Sequence, residues 1–204
     1  MVEKDLVPID EKDRPSWELY FMHMALHAAT RSSCRYIDAG AVVVAPDNTI
    51  LSTGYNGVPR GADPNCLKRG CGKDLSGIAQ EIKGSGKCDG MHSEWNAILK
   101  AKEHGDLTNA TLYSLILPCY TCARLTVGAG ISRVFYTLEY PEYLSEKERQ
   151  AGKRTDAELT RDLFARMGVA LNHIDLKMDI EKHFKRMQRI LKNNFRKSKI
   201  VKKK

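Results

Sequence analysis

The chain lacks any apolar stretch long enough to cross a membrane. Its longest apolar run, residues 39–45, is far shorter than the roughly 20 residues that a membrane-spanning helix needs. The first residues also lack the basic segment followed by an apolar segment that marks a secretory signal. We therefore expect a cytoplasmic protein, in which the six cysteines serve as metal ligands, catalytic groups or buried thiols rather than as disulfides.

The composition has neither the bias of a disordered chain nor that of a disulfide-dense one, and the sequence contains no internal repeat. With 42% hydrophobic and 28% charged residues it matches a globular protein. A length of 204 residues suits one α/β domain with an extension. We expect a polar lead-in over residues 1–15, a main domain over 16–176 and a C-terminal extension over 177–204.

Positive charge is in slight deficit through most of the chain and in large excess at its end. Residues 182–204 contain eleven Lys and Arg and no acidic residue, whereas residues 1–181 carry 22 basic and 25 acidic groups. The net charge of +8 therefore divides into −3 for the body and +11 for the tail. Such a tail says little about what the main domain binds, because a run of like charges is usually a solvated segment.

Hydrophobic periodicity predicts alternating helices and strands. An amphipathic helix is expected from Trp17 to near Ser33, followed by a hairpin with strands over 39–45 and 49–55 and a long loop over 56–90. The other expected elements are a helix over 91–105, a strand over 110–117, a helix over 118–128, a strand over 132–137, a helix over 155–168 and a strand over 169–174. This order predicts an α/β sandwich around a mixed five-stranded sheet.

Two short motifs combine the residues of a catalytic zinc site. His92 and Glu94 lie at the start of one predicted helix, and Cys119 and Cys122 lie at the start of another. One histidine and two thiolates give a tetrahedral zinc three ligands and leave the fourth position for water, as in catalytic rather than structural sites. The positive end of a helix dipole favours the thiolate form of Cys119. We therefore assign His92, Cys119 and Cys122 as zinc ligands.

Glu94 has the position expected of a catalytic proton carrier. Zinc lowers the pKa of bound water from about 15.7 to about 7. Glu94, two residues after the histidine and not itself a ligand, can take the proton of that water and pass it to the base and the leaving amine. The combined pattern, H-x-E followed by P-C-x-x-C, is the signature of zinc-dependent nucleobase deaminases.

Several further segments resemble the deoxycytidylate deaminase family. They are Tyr20-Phe-Met, Arg31-Ser-Ser-Cys34, Gly54-Tyr-Asn-Gly-Val-Pro-Arg-Gly61 and His92-Ser-Glu-Trp-Asn-Ala-Ile98, all within residues 16–140. The resemblance implies a three-layer α/β/α cytidine-deaminase-like fold and hydrolytic deamination of dCMP to dUMP, which supplies dUMP for thymidylate synthesis. It also implies a homohexamer that is activated by dCTP and inhibited by dTTP, with Mg²⁺ accompanying a triphosphate effector.

The chain departs from the usual pattern of that family in three places. Ser93 stands where alanine is usual, and Leu117 stands where a small hydroxyl residue often precedes the Pro-Cys pair. Neither change removes a zinc ligand or Glu94, although both positions are close enough to the site to affect substrate choice. The third departure is the C-terminal extension, which the resemblance does not cover.

Three residues are candidates for contacts with a nucleotide, each with a plainer alternative. Asn56 lies in a Gly-rich segment whose backbone could approach a ligand, although Asn-Gly also closes hairpin turns. Arg31 could hold two phosphate oxygens in its guanidinium fork, or it could be an exposed charge near a helix end. Tyr120 could pack on the base or lie on a helix surface. The candidate effector loop is Gly57, Val58 and Pro59.

The four cysteines left after the catalytic pair predict a second, structural zinc site formed by Cys34, Cys66, Cys71 and Cys88. Cys66 and Cys71 bracket a Gly-containing turn, and Cys88 closes the same long loop. A metal there would order a segment that otherwise lacks a core. Members of the family resemble this arrangement in having a zinc clip between the end of the first helix and that loop. The alternative is a set of buried thiols.

The basic tail contains one apolar stripe at helical spacing, formed by Ile180, Phe184, Met187, Leu191 and Phe195. Such an amphipathic helix could lie on an acidic membrane, bind nucleic acid, or dock on the main domain or on a neighbouring subunit. We favour docking, because burial is the commonest fate of an apolar stripe and the slightly acidic body suits a cationic helix.

Two other functions compete with a nucleotide deaminase. A polynucleotide deaminase of the tRNA type shares the zinc chemistry and could use a basic surface, but the body is slightly acidic. A catalytically silent zinc-binding interaction module would not need the proton carrier, and Glu94 is present. The sequence therefore favours an enzyme acting on a free nucleotide.

Overall fold

The computed structural model describes residues 14–80, 86–140, 145–176, 181 and 183–191. The chain divides into two compact units, of which residues 20–174 form one and residues 1–19 with 175–204 form the other. The helices are α1 (Trp17–Ala29), α2 (Cys66–Arg69), α3 (Gly72–Leu75), α4 (Ser93–Lys102), α5 (Tyr120–Gly128), α6 (Glu146–Gln150) and α7 (Asp156–Arg166). The strands are β1 (Gly40–Val44), β2 (Ile50–Tyr55), β3 (Thr111–Ile116), β4 (Arg133–Leu138) and β5 (Ala170–His173).

The five strands form one mixed sheet in the order β2-β1-β3-β4-β5. The hairpin pairs β1 with β2, and β1 also pairs with β3 in the antiparallel sense, so that Ala41 lies between Gly54 and Ser114. Strands β3, β4 and β5 are parallel. The predicted mixed five-stranded sheet is confirmed, and each strand lies within one or two residues of its expected position.

Helices cover both faces of the sheet. On one face, Gly40 lets the backbone of α1 come so close that a Cβ at this position would be within 3.0 Å of Ala25 and Ala29, and the ring of Phe21 packs on that of Tyr113. On the other face, α4, α5 and α7 enclose the main apolar core. That core includes Ala41, Val43, Ala97, Ile98, Ala101, Leu112, Ala123, Val134, Leu163 and Phe164. The three-layer α/β/α arrangement predicted from the sequence is confirmed.

Several helix boundaries differ from the sequence prediction. Helix α1 ends at Ala29 rather than near Ser33, because both the N–H and the hydroxyl of Thr30 donate to the carbonyl of His27 and tighten the turn. The long loop contains the short helices α2 and α3, and Asn65 caps α2 by accepting from two N–H groups. Helix α6 was not expected. Its signal is a capping box between Ser145 and Glu148, the same device that correctly predicted the start of α7.

In the C-terminal unit, residues 181 and 183–191 are helical. Of the predicted apolar stripe, Phe184 and Leu191 are 53% and 54% exposed, and Met187 is partly buried. Ile180 and Phe195 lie outside the described residues. Docking of this helix stays a prediction. Among the described residues, no helix has the length and apolar character needed to cross a membrane.

Replacing Gly54 with alanine is expected to lower the free energy of unfolding by about 1–3 kcal/mol, because overpacking forces rigid neighbours apart. Gly54 faces the first turns of α4, where a Cβ would come within 3.0 Å of the backbone of Ser93 and Ala97. The melting temperature of G54A measures the loss. Gly128→Ala is the matched control, since a Cβ there meets nothing within 4 Å. Equal melting temperatures for the two variants would contradict the prediction.

Candidate active site

His92, Cys119 and Cys122 meet where two helices begin. His92 is the N-cap of α4, Cys119 is the N-cap of α5, and Cys122 lies in the first turn of α5. The sulfur atom of each cysteine is 3.4 Å from Nδ1 of His92. Within the described part of the chain, this is the one group of three or more His, Cys, Asp or Glu whose ligand atoms all lie within 4.8 Å of one another.

These separations fit a tetrahedral zinc ion. With Zn–S bonds of about 2.3 Å and Zn–N bonds of about 2.0–2.1 Å, a tetrahedral angle places sulfur and nitrogen roughly 3.5 Å apart. The observed 3.4 Å therefore suits one ion bound by all three residues. Cys122 is buried whereas His92 is exposed, so the group is closed on one side and open on the other. Three protein ligands leave the fourth position for water or substrate, as in catalytic sites.

The two thiols differ in acidity. A hydrogen bond from Cys122, opposed by burial and supported by His92, lowers the pKa of Cys119 to about 4. The same hydrogen bond, together with burial, raises the pKa of Cys122. A coordinating thiol is deprotonated by the metal, so a zinc ion would hold both sulfurs as thiolates. The position of both residues at the positive end of α5 also favours that form.

Glu94 is almost fully buried in the first turn of α4, two residues beyond His92. Burial raises the pKa of its carboxyl group, and the neighbouring His92 opposes that shift. The hydroxyl of Ser93 lies 3.0 Å from Oε2 of Glu94 and donates to it. A buried carboxyl with a raised pKa beside a metal group is typical of a residue that accepts and returns a proton.

The Gly-rich segment after β2 is attached directly to the start of α4. Gly57 and Met91 exchange two backbone hydrogen bonds of 3.1 and 2.7 Å, which place this segment next to His92. Gly57 also lies close to Ser33, since a Cβ at position 57 would be 2.4 Å from the hydroxyl oxygen of Ser33. This position agrees with a segment that lines the site.

The three candidate nucleotide contacts have different surroundings. Asn56 is buried, and its amide accepts from the N–H of Ala39 at 2.9 Å and donates to the carbonyl of Ile37 at 2.8 Å. An amide can make further hydrogen bonds, so these contacts leave capacity for a ligand. Arg31 is exposed after α1. Tyr120 is partly buried against the core, with the guanidinium of Arg124 5.2 Å from its ring centre. All three roles stay predictions.

The four remaining cysteines do not form a ligand group as close as the first one within the described residues. Cys71 is buried, Cys34 and Cys66 are partly buried, and Cys88 is exposed. Burial disfavours the charge on Cys71, but hydrogen bonds from the backbone of Asp74 and Lys73 and from Gln80 lower its pKa overall.

Thr160 is a residue beside the site that no sequence motif marks. This residue of α7 is fully buried, and its hydroxyl donates a 3.0 Å hydrogen bond to the carbonyl of Pro118, next to Cys119. Thr160 and Pro118 are 42 positions apart in the sequence, so no short sequence motif predicts this contact.

Comparison with known proteins agrees with this geometry. Residues 15–138 match the family model described as the cytidine and deoxycytidylate deaminase zinc-binding region. The deoxycytidylate deaminase of Mycobacterium phage D29 is 41% identical over 128 residues, which are 62% of this chain and 98% of the phage protein. The Saccharomyces cerevisiae deoxycytidylate deaminase is 39% identical over 138 residues, covering 68% of this chain but 42% of the yeast protein.

The fold is also found among solved structures. The dCMP deaminase of cyanophage S-TIM5, solved in complex with dCMP and dUMP, superposes with a TM-score of 0.57 at 24% identity, covering 79% of this chain and 98% of the phage chain. At this identity the likeness concerns the fold. The match to the family model covers more than half of the chain and contains His92, Cys119 and Cys122. The chain therefore contains a cytidine and deoxycytidylate deaminase zinc-binding region and belongs to that family.

Proposed function

We propose that this chain catalyses the zinc-dependent hydrolytic deamination of dCMP to dUMP, releasing ammonia and supplying dUMP for thymidylate synthesis. The observation that carries the proposal is the close group of His92, Cys119 and Cys122 with the buried carboxyl of Glu94 beside it. The names of the D29 and yeast relatives support dCMP as the substrate.

In the proposed reaction His92, Cys119 and Cys122 hold the zinc ion, which supplies an activated water molecule when bound. Glu94 accepts a proton from the water as it attacks C4 of the cytosine ring. It passes this proton to the ring nitrogen, then takes the remaining proton from the hydroxyl group bonded to C4 and passes it to the leaving amino group. Water and dCMP are consumed, dUMP and ammonia are formed, and Glu94 ends in its starting state.

Ammonia release from separate solutions of dCMP, CMP, cytidine, dCTP and a structured RNA tests the proposal with the full chain. We expect dCMP to give the highest kcat/KM. Release of ammonia from the RNA alone would overturn the proposal in favour of a polynucleotide deaminase. Absence of turnover on every substrate by protein that contains zinc would favour a silent zinc-binding module.

We also propose the nucleotide contacts assigned to Asn56, Arg31 and Tyr120. The segment containing Asn56 lies beside His92, and the N–H of Ser33 bonds to the carbonyl of Asn56 at 3.2 Å, which brings the turn after α1 towards the same segment. An exposed Arg31 two residues before Ser33 could therefore reach a phosphate group of a nucleotide in the site. Tyr120 has the least support, because its ring packs partly on the core.

Regulation and assembly follow from the family resemblance alone. We propose a homohexamer that responds to dCTP and dTTP through Gly57, Val58 and Pro59, with Mg²⁺ bound to the triphosphate of the effector. We also propose the cytoplasmic location that the sequence led us to expect. The assay above, repeated with each triphosphate and with sedimentation of the protein, tests these points together.

We further propose that Cys34, Cys66, Cys71 and Cys88 bind a second, structural zinc ion. Neighbours of these cysteines connect their segments. Tyr36, two residues after Cys34, donates to Asp74 in α3, whose N-cap is Cys71. Arg69, three residues after Cys66, pairs with Asp89 beside Cys88. Gly72, which follows Cys71, also lies close to the carbonyl of Lys87, which precedes Cys88. A Cβ on Gly72 would be within 3.0 Å of that carbonyl oxygen.

The surroundings of two of the sulfurs support the thiolate form that zinc requires. The N–H of Tyr36 points to the sulfur of Cys34 at a donor–acceptor distance of 3.5 Å. The sulfur of Cys71 faces the side-chain amide of Gln80 at 3.6 Å. Donors of this kind stabilise a negatively charged sulfur, which is the form that binds metal.

Metal analysis of protein purified without chelators is expected to give two zinc ions per chain. Cys66→Ser should lower that number to one and reduce the melting temperature, because a structural zinc contributes directly to folding. Cys122→Ser should also lower it to one but remove the other ion. A single zinc per wild-type chain would contradict the second site and leave the first one intact.

A further inference from the structure

Thr160 contacts the backbone immediately before a zinc ligand, although it belongs to a distant part of the chain. Its hydroxyl donates to the carbonyl oxygen of Pro118 at 3.0 Å, and Thr160 is fully buried. Pro118 is also buried and directly precedes Cys119. The match to the family model ends at residue 138, so α7 and Thr160 lie outside it.

Pro118 lies between two regular hydrogen-bonding patterns. Before it, the N–H of Leu117 donates to the carbonyl of Leu138 at 2.8 Å and continues the pairing of β3 with β4. After it, the N–H of Ala123 donates to the carbonyl of Cys119 at 2.8 Å and begins α5. The hydrogen bond to the carbonyl of Pro118 therefore comes from a third element, α7.

The hydrogen bond from Thr160 to the carbonyl of Pro118 affects the orientation of Cys119. The carbonyl of Pro118 and the N–H and Cα of Cys119 belong to one planar peptide unit. A hydrogen bond that fixes the carbonyl oxygen therefore restricts rotation of the whole unit and the direction in which the Cα–Cβ bond of Cys119 leaves the backbone. The sulfur of Cys119 lies 3.4 Å from Nδ1 of His92, so this direction affects how closely the three ligand atoms approach one another.

The donor is itself held rigidly. Thr155 and Glu158 form a reciprocal capping box at the start of α7, with hydrogen bonds of 3.1 and 2.8 Å. Leu163 and Phe164, in the following turn, are buried in the main core. Thr160 lies between these two anchors, so its hydroxyl has little freedom to move away from Pro118.

We propose that Thr160 is a positioning residue of the zinc site, which sets the orientation of Cys119 through the carbonyl of Pro118 and thereby strengthens metal binding. The inference rests on the proposed function only in assigning zinc to His92, Cys119 and Cys122. It does not depend on which nucleotide is deaminated.

The test compares Thr160→Val, which replaces the hydroxyl by a methyl group, with Thr160→Ser, which keeps the hydroxyl and loses a methyl group. Zinc affinity is measured by competition with a chelator, and the geometry of the site by the sulfur-to-metal absorption of protein loaded with Co²⁺. We expect T160V to bind zinc about 10–100-fold more weakly, the usual effect of losing a partner that orients a ligand. Its cobalt spectrum should change and its kcat should fall, while T160S stays near wild type in all three measurements.

Wild-type zinc affinity and an unchanged cobalt spectrum in T160V would overturn the proposal. So would an equal loss in T160V and T160S, since packing rather than the hydroxyl would then be responsible. If T160V does not fold, Thr160→Ala is compared with Thr160→Ser instead, because alanine and serine differ by the hydroxyl alone. If the wild-type protein binds zinc but does not act on dCMP, the proposed substrate is wrong, and the affinities of these variants still decide the role of Thr160.

Discussion

Glu94→Gln is expected to lower kcat on dCMP by about 10²–10⁴-fold, the usual contribution of a positioned general acid and base. Glutamine has nearly the shape of glutamate but cannot accept the proton of the attacking water. The amide oxygen can still accept the hydrogen bond that Ser93 donates at 3.0 Å. Zinc content and melting temperature should therefore stay close to wild type, which separates a chemical defect from misfolding.

Glu103→Gln is the matched control for this variant. It makes the same chemical change on the same helix, at the exposed C-cap of α4. We expect E103Q to keep wild-type kcat and KM for dCMP. If E94Q retained more than about a tenth of the wild-type kcat, Glu94 would not be the proton carrier, because a tenfold change corresponds to only 1.36 kcal/mol of activation free energy.

The parts of the fold that could be predicted from sequence are those with a local cause. The Asp-Asn turn between β1 and β2, the apolar run of β3 and the capping box of Thr155 each act within a few residues. The close approach of His92, Cys119 and Cys122 is predictable for the same reason. His92 with Glu94 and Cys119 with Cys122 are pairs that each span one helical turn or less, and each pair begins a helix.

Features that depend on distant contacts could not be predicted in this way. Whether Asn56 faces a ligand or the backbone of residues 37–39 depends on how the turn after α1 folds back towards β2. The contact of Thr160 with Pro118 requires α7 to pack beside α5, which periodicity along α7 does not specify. Periodicity tells which face of a helix is buried, but not which polar group that face meets.

Cys122→Ser is expected to remove zinc from the active site and to reduce turnover to the level of chelator-treated protein. The side chain of Cys122 is buried and its sulfur lies 3.4 Å from Nδ1 of His92, so a serine there offers a poor hard ligand with a shorter reach. Thr121→Ser is the matched control, because Thr121 is an exposed residue of the same turn. It should keep both zinc and activity.

C122S also separates the contributions of the two proposed zinc ions to the stability of the protein. A ligand present at 100 times its dissociation constant stabilises the native state by about 2.7 kcal/mol, so chelation should lower the melting temperature of the wild-type protein. In C122S the chelator should cause a smaller decrease, and what remains reports the second zinc proposed at Cys34, Cys66, Cys71 and Cys88. Added Zn²⁺ should restore turnover in chelator-treated wild-type protein but not in C122S. Wild-type turnover in C122S would show that Cys122 is not a ligand of the catalytic ion.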